Sequence, residues 1–571
     1  MRTKILFKGK GLVKVLPFYL FTFLLLSSCV DLNYSEESTR DEKWTFEYFN
    51  EGIKGLVSGV YAQIYTNEFD DNSAYFLAGA TDEAQYALEA GNVNSYINGG
   101  WSPANPNDRF WTKSYTAIAD ANMFLEKLDE ADISDWKYNT SYENWMAQME
   151  LFPYEVRFLR AYFYFELFKA YGDVPLVTTT LTNAQANSVQ RTSADKVVQF
   201  IVDECDAIAP YLPETYITEY GAEIGRITRI AVFALKARTL LYAASPLHNP
   251  NGDKAKWAKA AEACKYILDN ASLWGLKLNA YSTLWGHDAF VNNTELILGL
   301  GRGDSNSFEK ANYPIGVENG SSGNCPTQSL VDQYEYQDNG ETFAQRYPGN
   351  IDLTMVDPYE GLDPRFALTV VKNGDEWPTN GAQKKVIETF TGGFNAAPKY
   401  GATPTSYYLR KYVDGSCVTT ADNQTTRRHT WIIFRLAEFY LDYAEAVYNA
   451  TGSANDATYG MTANDAINVL RTRSDINMPK FTEDGDEWVE RYERERLVEL
   501  AFENHRFWDV RRWKKGAKYF KNIQVATISS DLMLTRSTVT RQWDDKFNLY
   551  PIPQSELKKN SNLTQNPGWQ Q

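Results

Sequence analysis

Two stretches of the sequence decide the fold: Ala234-Leu-Lys-Ala-Arg-Thr-Leu-Leu-Tyr-Ala-Ala-Ser-Pro-Leu247 and Arg435-Leu-Ala-Glu-Phe-Tyr-Leu-Asp-Tyr-Ala-Glu-Ala446. In both, apolar and small residues recur at the spacing of an amphipathic helix. They predict helices over 230–245 and 431–450, and a second helical pattern follows each of these, over residues 256–268 and 463–473. Alanines stand near the middle of these helices, where small side chains let two helices approach closely. The two stretches therefore predict closely packed helix pairs.

Two more pairs are predicted nearer the N-terminus, 52–65 with 110–128 and 153–171 with 193–212. Between 280 and 422 the helical period disappears and glycines become frequent, which predicts loops with short strands, such as 295–300 and 367–372. Loop lengths between the helices vary too widely for a regular solenoid. We expect a mainly α protein in which tetratricopeptide-like helix pairs form an α-α superhelix around a loop-rich irregular region.

The first fifty residues have the layout of an exported lipoprotein. Residues 1–14 carry five cations and no acid, and an apolar run follows over 15–26. This is the pattern of a secretory signal, too short to span a membrane comfortably. It ends in Leu26-Ser-Ser-Cys29, which resembles the lipobox of bacterial lipoproteins, whose cysteine is acylated. We expect a signal peptide over 1–28, lipid attachment at Cys29, and a lipidated N-terminus and tether over 29–50.

The rest of the chain divides into three predicted parts. Residues 51–279 are the first part of the helical-pair scaffold, interrupted by a loop over 66–109. Residues 280–422 are the loop-rich region, and 423–571 are the second part of the scaffold with the C-terminal tail. Because long irregular segments held by a scaffold are usually functional, we expect the loop-rich region to bind a ligand.

The charge of the chain limits the classes of molecule that it can bind. The 571 residues include 57 Lys and Arg against 73 Asp and Glu, a formal charge of −16 that argues against nucleic acid as a partner.

The cysteines and histidines suggest no metal site. The helical patterns around Cys205 and Cys264 predict buried free thiols, whereas Cys325 and Cys417 lie in loop-rich sequence and could pair. No histidine or cysteine has metal-ligand spacing, so we expect neither metal nor cofactor. A structural calcium ion has no support in the sequence.

Several longer motifs resemble those of the SusD/RagB family of outer-membrane nutrient-binding lipoproteins, and together they span nearly all of the chain after Cys29. They are Arg157-Phe-Leu-Arg-Ala-Tyr-Phe-Tyr-Phe-Glu-Leu167 with Tyr171-Gly-Asp-Val-Pro-Leu176, Gly225-Arg-Ile-Thr228 with the 234–247 stretch, the 435–446 stretch with Ile467-Asn-Val-Leu-Arg-Thr-Arg473, Glu493-Arg-Glu-Arg-Leu-Val-Glu-Leu-Ala-Phe-Glu-Asn-His-Arg-Phe-Trp-Asp-Val-Arg-Arg-Trp513, and Tyr550-Pro-Ile-Pro-Gln554 with Gln565-Asn-Pro-Gly-Trp569.

This resemblance implies four helix pairs as a scaffold and an irregular face that binds glycans without cleaving them. It also implies a cell-surface protein, lipid-anchored in the outer membrane and facing the exterior, that delivers captured oligo- or polysaccharide to a SusC-like TonB-dependent transporter. Two alternatives stay open on the residues alone: a glycoside hydrolase, and a scaffold whose helix pairs bind protein.

The stretch from 493 to 513 is the one that most resembles an active site. Glu495, Glu499 and Glu503 recur every four residues, and the pairs Glu503 with Arg506 and Asp509 with Arg512 have the spacing at which opposite charges meet. Paired carboxylates could be the acid and base of a hydrolase. Because apolar residues alternate with them on the same helix, a structural ion-pair network is the preferred interpretation.

A sugar site needs exposed flat rings flanked by polar groups, and loops should supply them. In the loop before residue 109, glycines, prolines and asparagines surround the rings of Tyr86, Tyr96 and Trp101, and Asn105 could bond a hydroxyl. We predict these four as ligand-binding residues, with Trp101 the strongest candidate. A second contribution is expected from rings in the loop-rich middle, namely Trp285, Tyr313 and Tyr334.

Overall fold

The computed structural model describes residues 42–65, 75–88, 91–215, 223–286, 289–301 and 303–570. The predicted signal peptide, the lipid-attachment residue Cys29, most of the tether and part of the 66–109 loop lie outside the described residues. Over the ranges that are described, no helix has both the length and the apolar character needed to cross a membrane.

Helices make up most of the regular structure, and their bounds are as follows. They are α1 Glu42–Glu47, α2 Lys54–Tyr61, α3 Ser95–Asn98, α4 Arg109–Lys127, α5 Tyr142–Tyr171, α6 Asn183–Ala186, α7 Ala194–Ile208, α8 Arg229–Ala244, α9 Lys254–Asn270, α10 Ala289–Asn292, α11 Ser307–Asn312, α12 Gln328–Val331, α13 Phe343–Arg346, α14 Pro364–Thr369, α15 Leu436–Thr451, α16 Ala463–Arg471, α17 Gly485–Glu499, α18 Arg506–Arg512, α19 Gly516–Tyr519 and α20 Gln554–Lys559.

Strands are short and form small separate sheets. They are β1 Ala84–Tyr86, β2 Leu296–Gly301, β3 Asn324–Pro326, β4 Ile351–Asp352, β5 Val370–Val371, β6 Glu376–Trp377, β7 Lys385–Val386, β8 Tyr408–Leu409, β9 Thr419–Thr420, β10 Asn423–Gln424, β11 Thr430–Arg435, β12 Asn522–Ile528 and β13 Met533–Thr540. The largest sheet has the order β12-β13-β4, and the others pair β1 with β3, β2 with β11, β5 with β8, β6 with β7 and β9 with β10. All of these pairings are antiparallel.

The long helices form one continuous series in which each packs against the next. The order is α2, α4, α5, α7, α8, α9, α15 and α16. At the centre of this series α9 packs on both α8 and α15, and α16 packs on α15. The alanines that the sequence predicts at helix contacts, Ala244, Ala260, Ala261, Ala444, Ala446 and Ala466, are all buried. The predicted mainly α fold of helix pairs around a loop-rich region is confirmed.

Helix boundaries differ from the prediction where other contacts compete. The predicted helix at 431 begins only at Leu436, because residues 430–435 form strand β11 against β2. Half of the predicted strand at 367–372 is the end of the helix α14, and only Val370 and Val371 are in a strand. The single helix expected around 493–513 is two helices, α17 and α18, separated by a turn in which Phe502 and Asn504 have left-handed backbone angles.

The loop-rich region has a hydrophobic core of its own, separate from that of the helical scaffold. It is built largely from rings, including those of Tyr281, Tyr408 and Trp431. A region with few helices has no continuous apolar face to bury, so large single side chains fill its interior. The thiols of Cys325 and Cys417 lie in this region, and both are buried and unpaired, as are those of Cys205 and Cys264.

Candidate functional site

Most of the residues predicted from the sequence to bind a ligand are buried. Trp101 is 3% exposed and Tyr96 is 2% exposed. The Trp101 ring lies 4.7 Å from both Tyr96 and Tyr550 and 5.2 Å from Trp569, measured between ring centroids. Its indole Nε1 donates to the carbonyl oxygen of Pro106 at 2.9 Å. The prediction that these two rings are displayed to a ligand is wrong, because rings of the C-terminal motifs pack around them.

The other predicted rings are buried as well. Tyr86 packs on Gly79 so closely that a Cβ there would lie 2.2 Å from its ring. Tyr313 is fully buried, and its hydroxyl donates to the carbonyl oxygens of Asp414 and Cys417, both at 2.7 Å. The prediction that these rings are exposed is wrong, and the same holds for Trp285 and Tyr334, which belong to the core of the loop-rich region.

Asn105 lies at the surface, in a tight turn. Its side-chain amide donates to the carbonyl oxygen of Gly100 at 3.0 Å, and its backbone pairs with Ser102. The turn therefore fixes the position of the Asn105 side chain. A role for Asn105 in ligand binding stays a prediction.

Exposed rings do occur in the loop-rich region, but at other positions. Over its described residues, the exposed aromatic side chains between 280 and 422 are Phe394, at 47%, and Tyr400, at 87%. Both lie in residues 391–402, Thr-Gly-Gly-Phe-Asn-Ala-Ala-Pro-Lys-Tyr-Gly-Ala, which we name the aromatic loop. Glycine and proline flank these rings, and the same signal was read at Trp101. The sequence therefore contained the signal, but nothing in it ranked this loop above the earlier one.

Hydrogen bonds to neighbouring segments anchor the aromatic loop. The backbone N–H of Thr391 donates to the carbonyl oxygen of Ile528, at the end of β12, over 2.8 Å. Asn395 is fully buried, and its amide donates to the Ile315 carbonyl oxygen at 2.6 Å while its oxygen accepts from the Glu388 N–H at 3.1 Å. Because these bonds fix the backbone, the two exposed rings are presented without a large cost in conformational entropy.

The aromatic loop also meets the segment in which the sequence predicted a binding site. Gly401 has a backbone φ of 77°, and a Cβ built on it would lie 3.6 Å from the Leu88 side chain. Leu88 lies two residues after the end of strand β1, so the 75–88 segment and the aromatic loop share one surface. We name this surface, formed by Leu88, Phe394, Tyr400 and the two lysines described next, the loop face.

Two lysines approach the exposed Phe394 ring. The ammonium nitrogen of Lys399 lies 3.7 Å from the ring centroid and that of Lys385 lies 4.3 Å from it. Lys385 also donates to the carbonyl oxygen of Gly316 at 2.8 Å. Burial, together with the nearby Lys399 charge, lowers the pKa of Lys385. The loop face therefore combines apolar rings with positive charge in a chain that is acidic overall.

The carboxylates that could have belonged to a hydrolase lie in the core, where a polysaccharide cannot reach them. Arg365 is 2.6 Å from Glu495 and 2.8 Å from Glu499, and Arg435 is 2.9 Å from Glu499 and 2.7 Å from Glu503. These distances join arginine nitrogens to carboxylate oxygens, and all five side chains are buried. The predicted structural ion-pair network is confirmed.

The pKa values agree with this interpretation. Burial alone would raise the pKa of each glutamate, but the surrounding cations outweigh it. Arg365 and Arg471 lower the pKa of Glu495 to about 2, and the pKa values of Glu499 and Glu503 are also lowered. A general acid must carry a proton near neutral pH, and these three carboxylates carry none.

Of the two ion pairs predicted within this stretch, one forms. Asp509 and Arg512 meet at 2.9 Å. The predicted pair of Glu503 with Arg506 does not form, because Arg506 turns to Asp82, at 2.7 Å. The backbone break after α17 sends Arg506 away from the glutamates and toward the segment that precedes β1.

Two grooves lie on the surface of the helical scaffold. One, of about 570 Å³, lies among α7, α8 and α9 and is lined by Phe233, Lys236 and Tyr266. The other, of about 510 Å³, lies beside α4 and is lined by Trp111 and Tyr115 together with C-terminal residues. These are the surfaces that the protein-interaction alternative would use.

Comparison with known proteins agrees with the helical scaffold. A sequence profile of the SusD family matches residues 294–569, and a second, described as "Starch-binding associating with outer membrane", matches residues 32–241. Between them they span most of the chain. The chain belongs to the SusD/RagB family.

Individual relatives are distant in sequence but similar over almost their full length. SusD-like protein P2 of Formosa agariphila is 21% identical over 481 residues, which cover 81% of this chain and 80% of that protein. A SusD-like protein of Bacteroides fragilis superposes with a TM-score of 0.77 at 26% identity, covering 92% of this chain and 98% of the other. A SusD-like carbohydrate binding protein of the same organism has a TM-score of 0.73 at 23% identity, covering 91% and 100%.

Proposed function

We propose that this protein is a non-catalytic cell-surface lipoprotein that binds glycans, as oligo- or polysaccharide nutrients, and delivers them to a SusC-like TonB-dependent transporter. The observation that carries the proposal is the loop face, where a well-anchored loop exposes two rings in a member of the SusD/RagB family. A pyranose presents an apolar C–H face, and an exposed ring provides the matching flat surface.

Other observations support the same function. One relative of similar structure is described as carbohydrate binding, and one of the matched families as starch-binding and associated with the outer membrane. The conspicuous row of glutamates is used up in core ion pairs, which removes the strongest argument for a hydrolase.

The binding claim is tested by titrating the chain that lacks residues 1–29 against a panel of polysaccharides, by affinity electrophoresis and calorimetry. We expect millimolar to micromolar affinity, the range that two or three weak contacts provide. Reducing ends are assayed in the same samples. Retarded migration without new reducing ends agrees with the proposal, and release of reducing sugar contradicts the non-catalytic part of it.

Anchoring and delivery need a separate test in cells. We expect labelled palmitate to be incorporated into the full-length chain and to be lost in Cys29→Ser, which should then be released from the membrane fraction. Affinity purification of the lipidated chain should recover a TonB-dependent transporter. Recovery of the chain without such a transporter, under conditions in which the glycan is consumed, would contradict the delivery step.

A further inference from the structure

The loop face carries two positive charges on one ring. The distances from Lys399 and Lys385 to the Phe394 centroid place the two ammonium nitrogens within about 8 Å of each other, where like charges repel unless a counter-ion intervenes. Lys399 is exposed and Lys385 is half-buried, so solvent reaches both side chains.

Neither lysine forms an ion pair with a carboxylate within the described part of the chain. Their neighbour Lys384 does, with Glu376 at 2.5 Å. Lys385 and Lys399 instead donate to backbone carbonyl oxygens, those of Gly316 and Phe394. The nearest acid of the loop, Glu388, uses one carboxylate oxygen to accept the Phe394 N–H at 2.9 Å. Two ammonium groups are thus held together by neutral partners, which leaves their charge available to a ligand.

We infer that these two lysines form an anion subsite of the loop face and that the glycan bound there is anionic, carrying uronate carboxylates or sulfate esters. This inference rests on the proposed function, and it names the class of ligand. Tyr400 is the residue next to Lys399, so a ring that can stack on a sugar and a charge that can hold its anionic substituent stand side by side.

The acidic charge of the whole protein strengthens the argument that the two lysines bind an anion. A chain with a formal charge of −16 repels a polyanion from most of its surface. The hydroxyls of a neutral glycan can accept hydrogen bonds from these ammonium groups, but a carboxylate or sulfate placed between them also relieves their repulsion, and its charge-assisted hydrogen bonds are stronger. The geometry therefore favours an anionic over a neutral polymer.

The test compares polymers that share a backbone and differ in charge. The full-length chain is titrated with polygalacturonate and its fully methyl-esterified form, and with dextran sulfate and dextran. We expect at least one anionic member to bind about tenfold tighter than its neutral counterpart, and its affinity to fall as NaCl is raised from 50 to about 500 mM. Preference for the first pair identifies carboxylate as the ligand group, and preference for the second identifies sulfate.

Variants assign the effect to the two lysines. Lys385→Gln and Lys399→Gln should each weaken binding of the anionic polymer about tenfold and make that binding less dependent on salt. The variants Lys385→Arg and Lys399→Arg keep the positive charge and should keep the affinity. Lys384→Gln removes a neighbouring charge that is already paired, and should leave the affinity unchanged. Melting temperatures of all variants are measured, and the arginine variants guard against a folding artefact.

The outcomes separate this inference from the proposed function. Equal affinity for charged and neutral members of both pairs, or anionic binding that survives both glutamine substitutions, overturns the anion subsite. Binding to neutral glycans alone overturns it while leaving glycan capture intact. Failure to bind any polymer in either panel overturns both.

Discussion

Replacing Tyr400 with alanine should weaken glycan binding without destabilising the fold. The Tyr400 side chain is 87% exposed, so its removal costs almost no packing. A sugar that covers about 100 Å² of apolar ring surface gains roughly 2.5 kcal/mol, and ordering the ligand reduces this to about 1.5 kcal/mol. We therefore expect about a tenfold loss in affinity, with a melting temperature within about 1 °C of the unsubstituted protein.

Calorimetric titration with the polysaccharide that binds most tightly measures the loss of affinity. Two control variants, one at an exposed tyrosine and one at a buried tryptophan, show whether the loss is specific to Tyr400. Tyr138 is 89% exposed on the helical scaffold, so Tyr138→Ala removes an equally exposed ring far from the aromatic loop and should change nothing. Trp101→Ala empties a packed site and should cost about 3–5 kcal/mol of unfolding free energy, seen in urea denaturation. Unchanged affinity in both Tyr400→Ala and Phe394→Ala would refute the placement of the site on the loop face.

Three other substitutions test the supports of this arrangement. Asn395→Ala should weaken glycan binding several-fold at room temperature, because it releases the backbone bonds of the aromatic loop, and faster amide hydrogen exchange confined to residues 388–402 should accompany the loss. Arg435→Met should destabilise the protein by about 3–5 kcal/mol in chemical denaturation, since it leaves Glu295 buried without its arginine and removes one of the cations that pair with Glu499 and Glu503. Burial raises the pKa of Glu83 to about 7, whereas the same carboxyl in the unfolded chain loses its proton above about pH 4.5. The free energy of unfolding therefore falls progressively as the pH rises from about 4.5 to 7. Glu83→Gln should therefore gain stability relative to the unsubstituted protein, by up to about 3 kcal/mol between pH 4.5 and 7, and a constant difference across that range would contradict the assignment.

The helical scaffold could be predicted because its signals are local. Alanine positions such as Ala260 and Ala444 report helix contacts through periodicity alone, and both lie where α9 and α15 pack together. The failures at helix ends have a tertiary cause. The predicted helix extended back over residues 431–435, although their β-branched and aromatic side chains favour a strand, and pairing with β2, some 130 residues earlier, makes them one. No window of sequence contains that partner.

The exposed rings could not be predicted because exposure is not a property of local sequence. Trp101 and Tyr400 have similar neighbours, rich in glycine and proline, yet one is enclosed by the C-terminal rings and the other faces solvent. In an irregular region a buried tyrosine has a second use, since its hydroxyl can satisfy backbone groups that no helix or sheet satisfies. Tyr313 does this for two carbonyl oxygens. Abundant tyrosine in loops therefore indicates core as readily as it indicates ligand.

Much charge is also buried where the loop-rich region meets α17. The region packs there through an apolar core that includes Leu497 and Val498, and directional contacts add to this attachment. Arg365, from the loop-rich region, reaches two glutamates of α17, and Lys411, also from that region, reaches Glu503 just beyond it at 2.7 Å. Ion pairs of this kind add little net stability compared with an apolar contact, but they tolerate only one register. The row of glutamates therefore fixes the register between the loop-rich region and α17, a structural use that leaves these carboxylates bonded to arginine and lysine.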